Sequence, residues 1–211
     1  MLFAHKVFKI LKWAFLVLAV LFIILIIGRV IYRLNQAKTN EQVIKIHNTK
    51  LTLDDVMGKN LPPDPGAEAD KTVQGIDANQ NGIRDDVELA VFKEYPNSAK
   101  TRAVLLQYAL ALQMEVIQPM INTTTVDKVI GEESRAVFCV ADTLVPRKSP
   151  ESDRSNADIE KIDVFISFIE NKQLNTDTRK KAHKDFYKNL GNFANSTKSE
   201  ECDIDIFKLL N

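Results

Sequence analysis

Hydrophobic and polar positions follow two different regimes along the chain. From Trp13 to Ile27 every residue is apolar, and after Gly28 and Arg29 the run resumes with Val30, Ile31 and Tyr32. As a helix, Trp13 to Tyr32 would extend about 30 Å, the thickness of a bilayer's hydrocarbon core. Trp13 and Tyr32 fall where interfacial aromatics sit, and Arg29 is close enough to one end to snorkel into a headgroup layer. Downstream, apolar residues recur instead at three- and four-residue spacing. Val87, Ala90, Val91 and Tyr95 predict a helix that Pro96 stops. Ser98 caps the next helix, which runs to Gln118 and is apolar nearly all round through Leu105, Leu106, Leu110, Leu112, Val116 and Ile117. Such a helix belongs at the centre of a bundle. Thr125 is the expected cap of a third, with Val126, Ile130, Val137, Ala141 and Leu144 on one face. Ser155 followed by Asp158 opens a fourth, with Ile159, Ile162, Phe165, Ile166 and Ile169. Ala182, Phe186, Leu190 and Phe193 mark a fifth.

The remaining segments punctuate this pattern. Residues 41–53 carry β-branched side chains around Asn48-Thr49, which reads as a short β-hairpin. Leu61 to Gly66 (LPPDPG) is neither helix nor central strand, because three prolines fix φ and remove donors. The fold class is therefore mainly α: an N-terminal transmembrane helix, then an exported α-helical bundle. Residues 1–38 form a cytoplasmic tail and anchor, 39–66 a linker with the hairpin, and 67–211 the helical domain. A second span is not expected, since Ala103 to Ile117 is short and interrupted by Gln107, Gln113 and Glu115.

Charge refines the placement. The chain holds 28 basic and 28 acidic residues, but no acid precedes Glu41, so residues 1–38 carry +6 and the rest −6. No basic patch points to nucleic acid. A cleaved signal peptide competes with an anchor, but the apolar core is followed by GRVIYRLNQ rather than by a small-x-small cleavage site. No Cys lies there either, which argues against a lipoprotein. Lys6, Lys9 and Lys12, with the amino terminus, slightly outweigh Arg29, Arg33 and Lys38, so the N-terminus is expected in the cytoplasm with the helical domain exported.

One segment carries recognisable chemistry. Residues 77–88 read DANQNGIRDDVE, the full D-x-[DN]-x-[DN]-G-x5-E pattern of an EF-hand loop. Asp77, Asn79 and Asn81 supply side-chain oxygens at positions 1, 3 and 5. Gly82 permits the sharp turn, Ile83 offers its backbone carbonyl, Asp85 binds directly or through water, and Glu88 closes the site with two oxygens. The expected ion is Ca²⁺; the bland alternative is an Asx-rich turn without metal. Two departures mark the loop. Position 8, usually a hydrophobe that pairs with a second hand, is Arg84, and the preceding segment cannot supply an entering helix. Sensor behaviour needs a helix pair that opens, so a structural ion is expected rather than a switch.

The stretch from Leu61 to Glu88 also resembles a family of uncharacterised bacterial envelope proteins with an LPPxP segment, a Thr and a GxDxNxNGxRDDVE block ahead of a helical region. The matching residues are Leu61, Pro62, Pro63, Pro65, Thr72, Gly75, Asp77, Asn79, Asn81, Gly82, Arg84, Asp85, Asp86, Val87 and Glu88. The resemblance covers under a fifth of the chain. It implies a bacterial envelope protein and calcium, but no activity; with the topology expected above, the chain would be a single-pass inner-membrane protein with its C-terminal domain in the periplasm.

Cys139 lies on the apolar face of the third helix and Cys202 near the C-terminus. In an oxidising compartment the pair reads as one disulfide; two buried thiols are the alternative. His5 belongs to the membrane flank, and His47 and His183 read as solvated surface residues. No zinc, phosphate-loop or hydrolase motif is present. Two function classes remain. In the first, the chain is a non-catalytic, membrane-anchored calcium-binding protein whose bundle binds a protein partner, an assembly factor or an immunity-type inhibitor. In the second, it is an envelope hydrolase using carboxylates in a cleft, such as Glu132 with Glu133 or Glu200 with Glu201.

Overall fold

A computed structural model describes residues 2–149, 152–191 and 201–209, except the side chains of residues 2–5 and 7. Among these residues there are seven α-helices, two 3₁₀ turns and no strand. The chain divides into two compact units, Met1–Glu41 and Gln42–Asn211.

The first unit consists of most of α1, which runs from Leu2 to Asn48. This helix is long and apolar enough to cross a membrane, as a membrane anchor or a signal sequence would be. Its apolar side chains, Trp13, Phe22, Ile24 and Leu25 among them, are exposed.

In the second unit the last turns of α1 are followed by α2 (Leu53–Val56), α3 (Asp85–Glu94), α4 (Ala99–Ile117), α5 (Thr123–Leu144), α6 (Asn156–Gln173) and α7 (Asp177–Tyr187). The 3₁₀ turns occupy Gly66–Asp70 and Ile206–Lys208. Helix α4 is the axis: α2, α3, α5, α6 and α7 all pack on it. Its apolar residues reach the core from every side, with Val104, Leu105, Leu106, Tyr108, Ala109 and Leu110 all buried. Ser98 caps its start by accepting from the Thr101 amide.

Three buried polar residues on α4 each serve a neighbouring segment. Gln107 donates to the Glu201 carbonyl (2.8 Å) and accepts from the Asp203 amide (2.9 Å), which fixes the C-terminal segment. Gln113 donates to the Gln74 carbonyl (2.7 Å) and accepts from Gln173, which fixes the approach to the 77–88 loop. Glu115 meets His183 of α7. A buried polar group without a partner costs about 1–3 kcal/mol, so these side chains specify which segment lies where.

Several sequence expectations need correction. Residues 41–53 form no hairpin: the helix continues to Asn48, because Ile46 on its inner face is buried in the core and Gln42 donates to Gln118. Burial on one helical face outweighs the β-branched composition, whose preference is weak. The cap of α5 is Asn122 rather than Thr125; Thr125 is the reciprocal partner in a capping box. Ile159, expected on the inner face of α6, is exposed, while Ile162 and Ile169 are buried. Helix α7 ends at Tyr187, so Leu190 lies beyond it, and Phe193 falls outside the described residues. The cap of α6 is as expected, with Ser155 and Asp158 satisfying each other's backbone amides.

Cys139 and Cys202 form a disulfide with their Cα atoms 5.1 Å apart. Gln107, Arg135 and Lys50 grip the same C-terminal segment, the last two through the Asp203 carboxylate at 2.9 and 3.2 Å.

Candidate functional site

The 77–88 loop lies between the 3₁₀ turn at Gly66–Asp70 and α3, which opens at Asp85, so Glu88 stands in the first turn of a rigid helix. Two positive-φ residues allow the chain to curl, Gln80 at 59° and Gly82 at 84°. Gly82 is needed twice over, since a Cβ there would also come within 2.8 Å of Leu110 on α4.

The loop's side chains satisfy its own backbone. The Asp77 carboxylate accepts from the amides of Asn81 (3.1 Å) and Gly82 (2.9 Å), and Asn81 Oδ1 accepts from the Ile83 amide (2.9 Å). Asp85 accepts from the Ala78 amide (3.0 Å), while its own amide donates to the Ile76 carbonyl (2.9 Å). Asn79 Nδ2 donates to the Glu88 carboxylate and to the Asn60 carbonyl, both at 3.0 Å. The side chains at loop positions 1, 3, 5, 9 and 12 thus all take part in hydrogen bonds within the segment, and Ile83 is fully buried. Among the described residues, no group of three or more His, Cys, Asp or Glu side chains is gathered closely enough to hold a metal ion, and Asp77, Asp85, Asp86 and Glu88 of this loop are no exception.

The electrostatics are uneven. Asp85 and Glu88 are buried, and no cation acts on Glu88: the side chains of Asn79 and Asn81 face its carboxylate, and Asp55 and Asp85 act on it as like charges. Burial is the main cause that pushes the Glu88 carboxyl up to about 7 and raises Asp85 above the usual carboxylate range. A carboxylate in this position is held at a cost, which an added positive charge would relieve. By donor chemistry the loop fits a hard cation: Asp77, Asn79, Asn81, Asp85 and Glu88 offer oxygens from side chains, and Ile83 its carbonyl.

Arg84 explains its own departure from the loop pattern. Its side chain is fully buried, pairs with both oxygens of Asp86 (2.6 and 2.7 Å) and donates to the carbonyls of Lys172 (2.8 Å) and Gln173 (3.1 Å). Those carbonyls lie at the end of α6, where helical acceptors lack internal partners. Position 8 therefore ties the loop to α6 instead of to a second loop. Gly75 makes room for it: at φ 72°, a Cβ there would lie 2.2 Å from the Arg84 Cδ. Arg179 of α7, also buried, binds the same region through Asp70 and the carbonyls of Ala69, Thr72 and Val73.

The other sites read from sequence resolve differently. Glu132 belongs to an ion network with Lys50 and Arg135, and the cavity it borders with Asp203 measures about 10 Å³, room for one water and no substrate. Glu200 falls outside the described residues, as does the His5 side chain. His47 is exposed, 3.5 Å from Glu132. His183 is not a free surface residue: its Nδ1 lies 2.5 Å from the buried Glu115 carboxylate. Its place was legible only in part, since Glu115 interrupts an apolar helix but nothing in the sequence pairs it with a residue 68 positions away.

Fold and site together describe a helical domain carrying an Asx-rich loop, on a chain with one helix long and apolar enough to cross a membrane. No protein-family model matches the sequence, and no curated protein and no solved structure matches it either.

Proposed function

We propose that the chain is a membrane-anchored bacterial envelope protein, its helical domain in the periplasm, with a structural Ca²⁺ site in the 77–88 loop and a bundle that binds a protein partner, as an assembly factor or an immunity-type inhibitor does. The observation that carries the calcium reading is the buried Glu88 carboxylate, held beside Asp85 without a counter-charge, in a loop that matches the EF-hand pattern at every constrained position. The envelope placement is supported by the apolar helix, the lack of an acid before Glu41 and a disulfide, a bond that persists in oxidising compartments.

When bound, calcium supplies the divalent charge that the buried carboxylates lack. Asp77, Asn79 and Asn81 hold the loop's curl, Glu88 presents its carboxylate from a helix, and Arg84 keeps the loop on the end of α6. With three carboxylates and an irregular entering side, affinity belongs at the weak extracellular end, with Kd about 10⁻⁴ M. At ten times that concentration, mass action adds about 1.4 kcal/mol to stability.

The test is the melting temperature of the full chain in detergent micelles, with calcium and with chelator, alongside calorimetry. Calcium should raise the wild-type melting temperature, and Glu88→Gln should remove most of the increase while leaving α3 intact. Equal melting temperatures with no heat of binding would reduce the loop to an Asx turn.

A further inference from the structure

Away from the loop, one cross-section of the bundle gathers three carboxylates and one imidazole. Helix α4 contributes Glu115, α5 Glu133, α6 Glu170 and α7 His183. Each carboxylate has a donor. His183 Nδ1 lies 2.5 Å from Glu115 Oε2, the Tyr187 hydroxyl donates to Glu133 Oε2 (2.5 Å), and the Tyr108 hydroxyl donates to Glu170 Oε1 (3.0 Å). The His183 and Tyr187 rings meet edge to face at 4.8 Å, so one face of α7 supplies two of the three donors. Glu115 and Tyr108 are buried, and the second Glu115 oxygen has no partner.

The charges of this cluster cannot balance by ion pairing. Three carboxylates face one group able to carry positive charge, because the tyrosine hydroxyls are pushed further from ionisation by the same burial and the same neighbours. The groups acting on His183 come from every neighbouring helix, Glu115 of α4, Glu133 of α5 and Glu170 of α6, and all three favour its protonated form. Glu115 feels Glu133 and Glu170 as like charges, and Glu133 feels Glu170. Fully ionised, the cluster would hold a net negative charge around the buried Glu115, with Glu133, Glu170 and His183 half-buried beside it. It is built to retain protons.

We propose that Glu115, Glu133 and His183, with the Glu170 carboxylate beside them, form a proton-binding site that fastens the C-terminal half of α7 to the bundle, and that this half loosens when the site loses a proton at mildly alkaline pH. Burial raises Glu115 to about 7 and raises Glu133 as well, while the hydrogen bond to Glu115 raises His183 against the effect of its own burial. The two halves of α7 should respond differently. Its N-terminal half is held by Arg179, whose guanidinium is charged at all relevant pH and bonds to Asp70, Asn175 and three backbone carbonyls. Its C-terminal half depends on His183 and Tyr187, with Phe186 as the buried apolar contact. None of the four residues belongs to the 77–88 loop, so the site stands apart from the calcium reading.

The experiment is amide hydrogen exchange of the full chain in detergent micelles at pH 6.0 and 8.5, corrected for the intrinsic pH dependence of exchange and repeated with calcium and with chelator. Protection over 183–190 should fall at least tenfold at the higher pH, while 177–180 stays within twofold. Glu115→Gln, which removes a charge but keeps the shape, should abolish most of that difference. The proposal is overturned if 183–190 stays within twofold between the two pH values, or if the variant keeps the wild-type pH response. Should the variant not fold, titration of the wild-type imidazoles by nuclear magnetic resonance decides: His183 must titrate well above the ordinary imidazole value of about 6.5, and a value at or below it refutes the site.

Discussion

Replacing Cys202 with Ser tests how the C-terminal segment stabilises the domain. The disulfide joins residues 63 positions apart, and closing a loop of that size removes unfolded-state entropy equivalent to about 4 kcal/mol. The second unit contains about 170 residues, for which each kcal/mol corresponds to about 2–4 °C in melting temperature, so the variant should melt about 8–16 °C lower. Native docking should survive. Gln107 still holds the Glu201 carbonyl and the Asp203 amide, while Asp203 still accepts from Arg135 and the Leu51 amide. Cys139, fully buried, keeps its side chain in the core and leaves no cavity. The assay is thermal unfolding of the full chain in micelles under non-reducing conditions, with native-state exchange of the Leu51 and Asp203 amides at 25 °C. A fall under 3 °C would show that the cross-link constrains little. A fall accompanied by lost protection at those two amides would show that the bond acts by docking the segment, and would refute the unfolded-state argument.

Three further expectations follow from the same geometry. Arg84→Met removes the buried partner of Asp86 and of the Lys172 and Gln173 carbonyls, so it should cost about 3–5 kcal/mol by denaturant titration; a loss under 1 kcal/mol would deny that the loop depends on α6. Gly75→Ala, at positive φ and against the Arg84 stem, should cost about 1–3 kcal/mol, and less than additively when combined with Arg84→Ala, which removes the clashing atoms. Without calcium, Glu88, Glu115 and His183 all bind protons more tightly folded than unfolded, so stability should decline as pH rises from about 5 to 8; a melting temperature that climbs over that range would contradict the burial argument.

Periodicity by itself determined the helical class, the long apolar N-terminal helix, the all-round apolar character of α4 and the capping box of α6. Those properties follow from local spacing and from Ser, Pro and apolar residues acting within a few positions of themselves. The loop residues 77–88 were also visible as a pattern, because a turn of this kind specifies its residues one by one. Tertiary structure decided what required partners far apart in the chain. Residues 41–48 became helix because Ile46 found the core, although their composition favoured strand. Arg84 proved to donate to the last two carbonyls of α6, 88 and 89 positions away, and His183 to be the partner of Glu115. A lone charged residue in a sequence looks solvated. Only packing shows whether its charge has been taken out of water, and hence whether its neighbours must answer it.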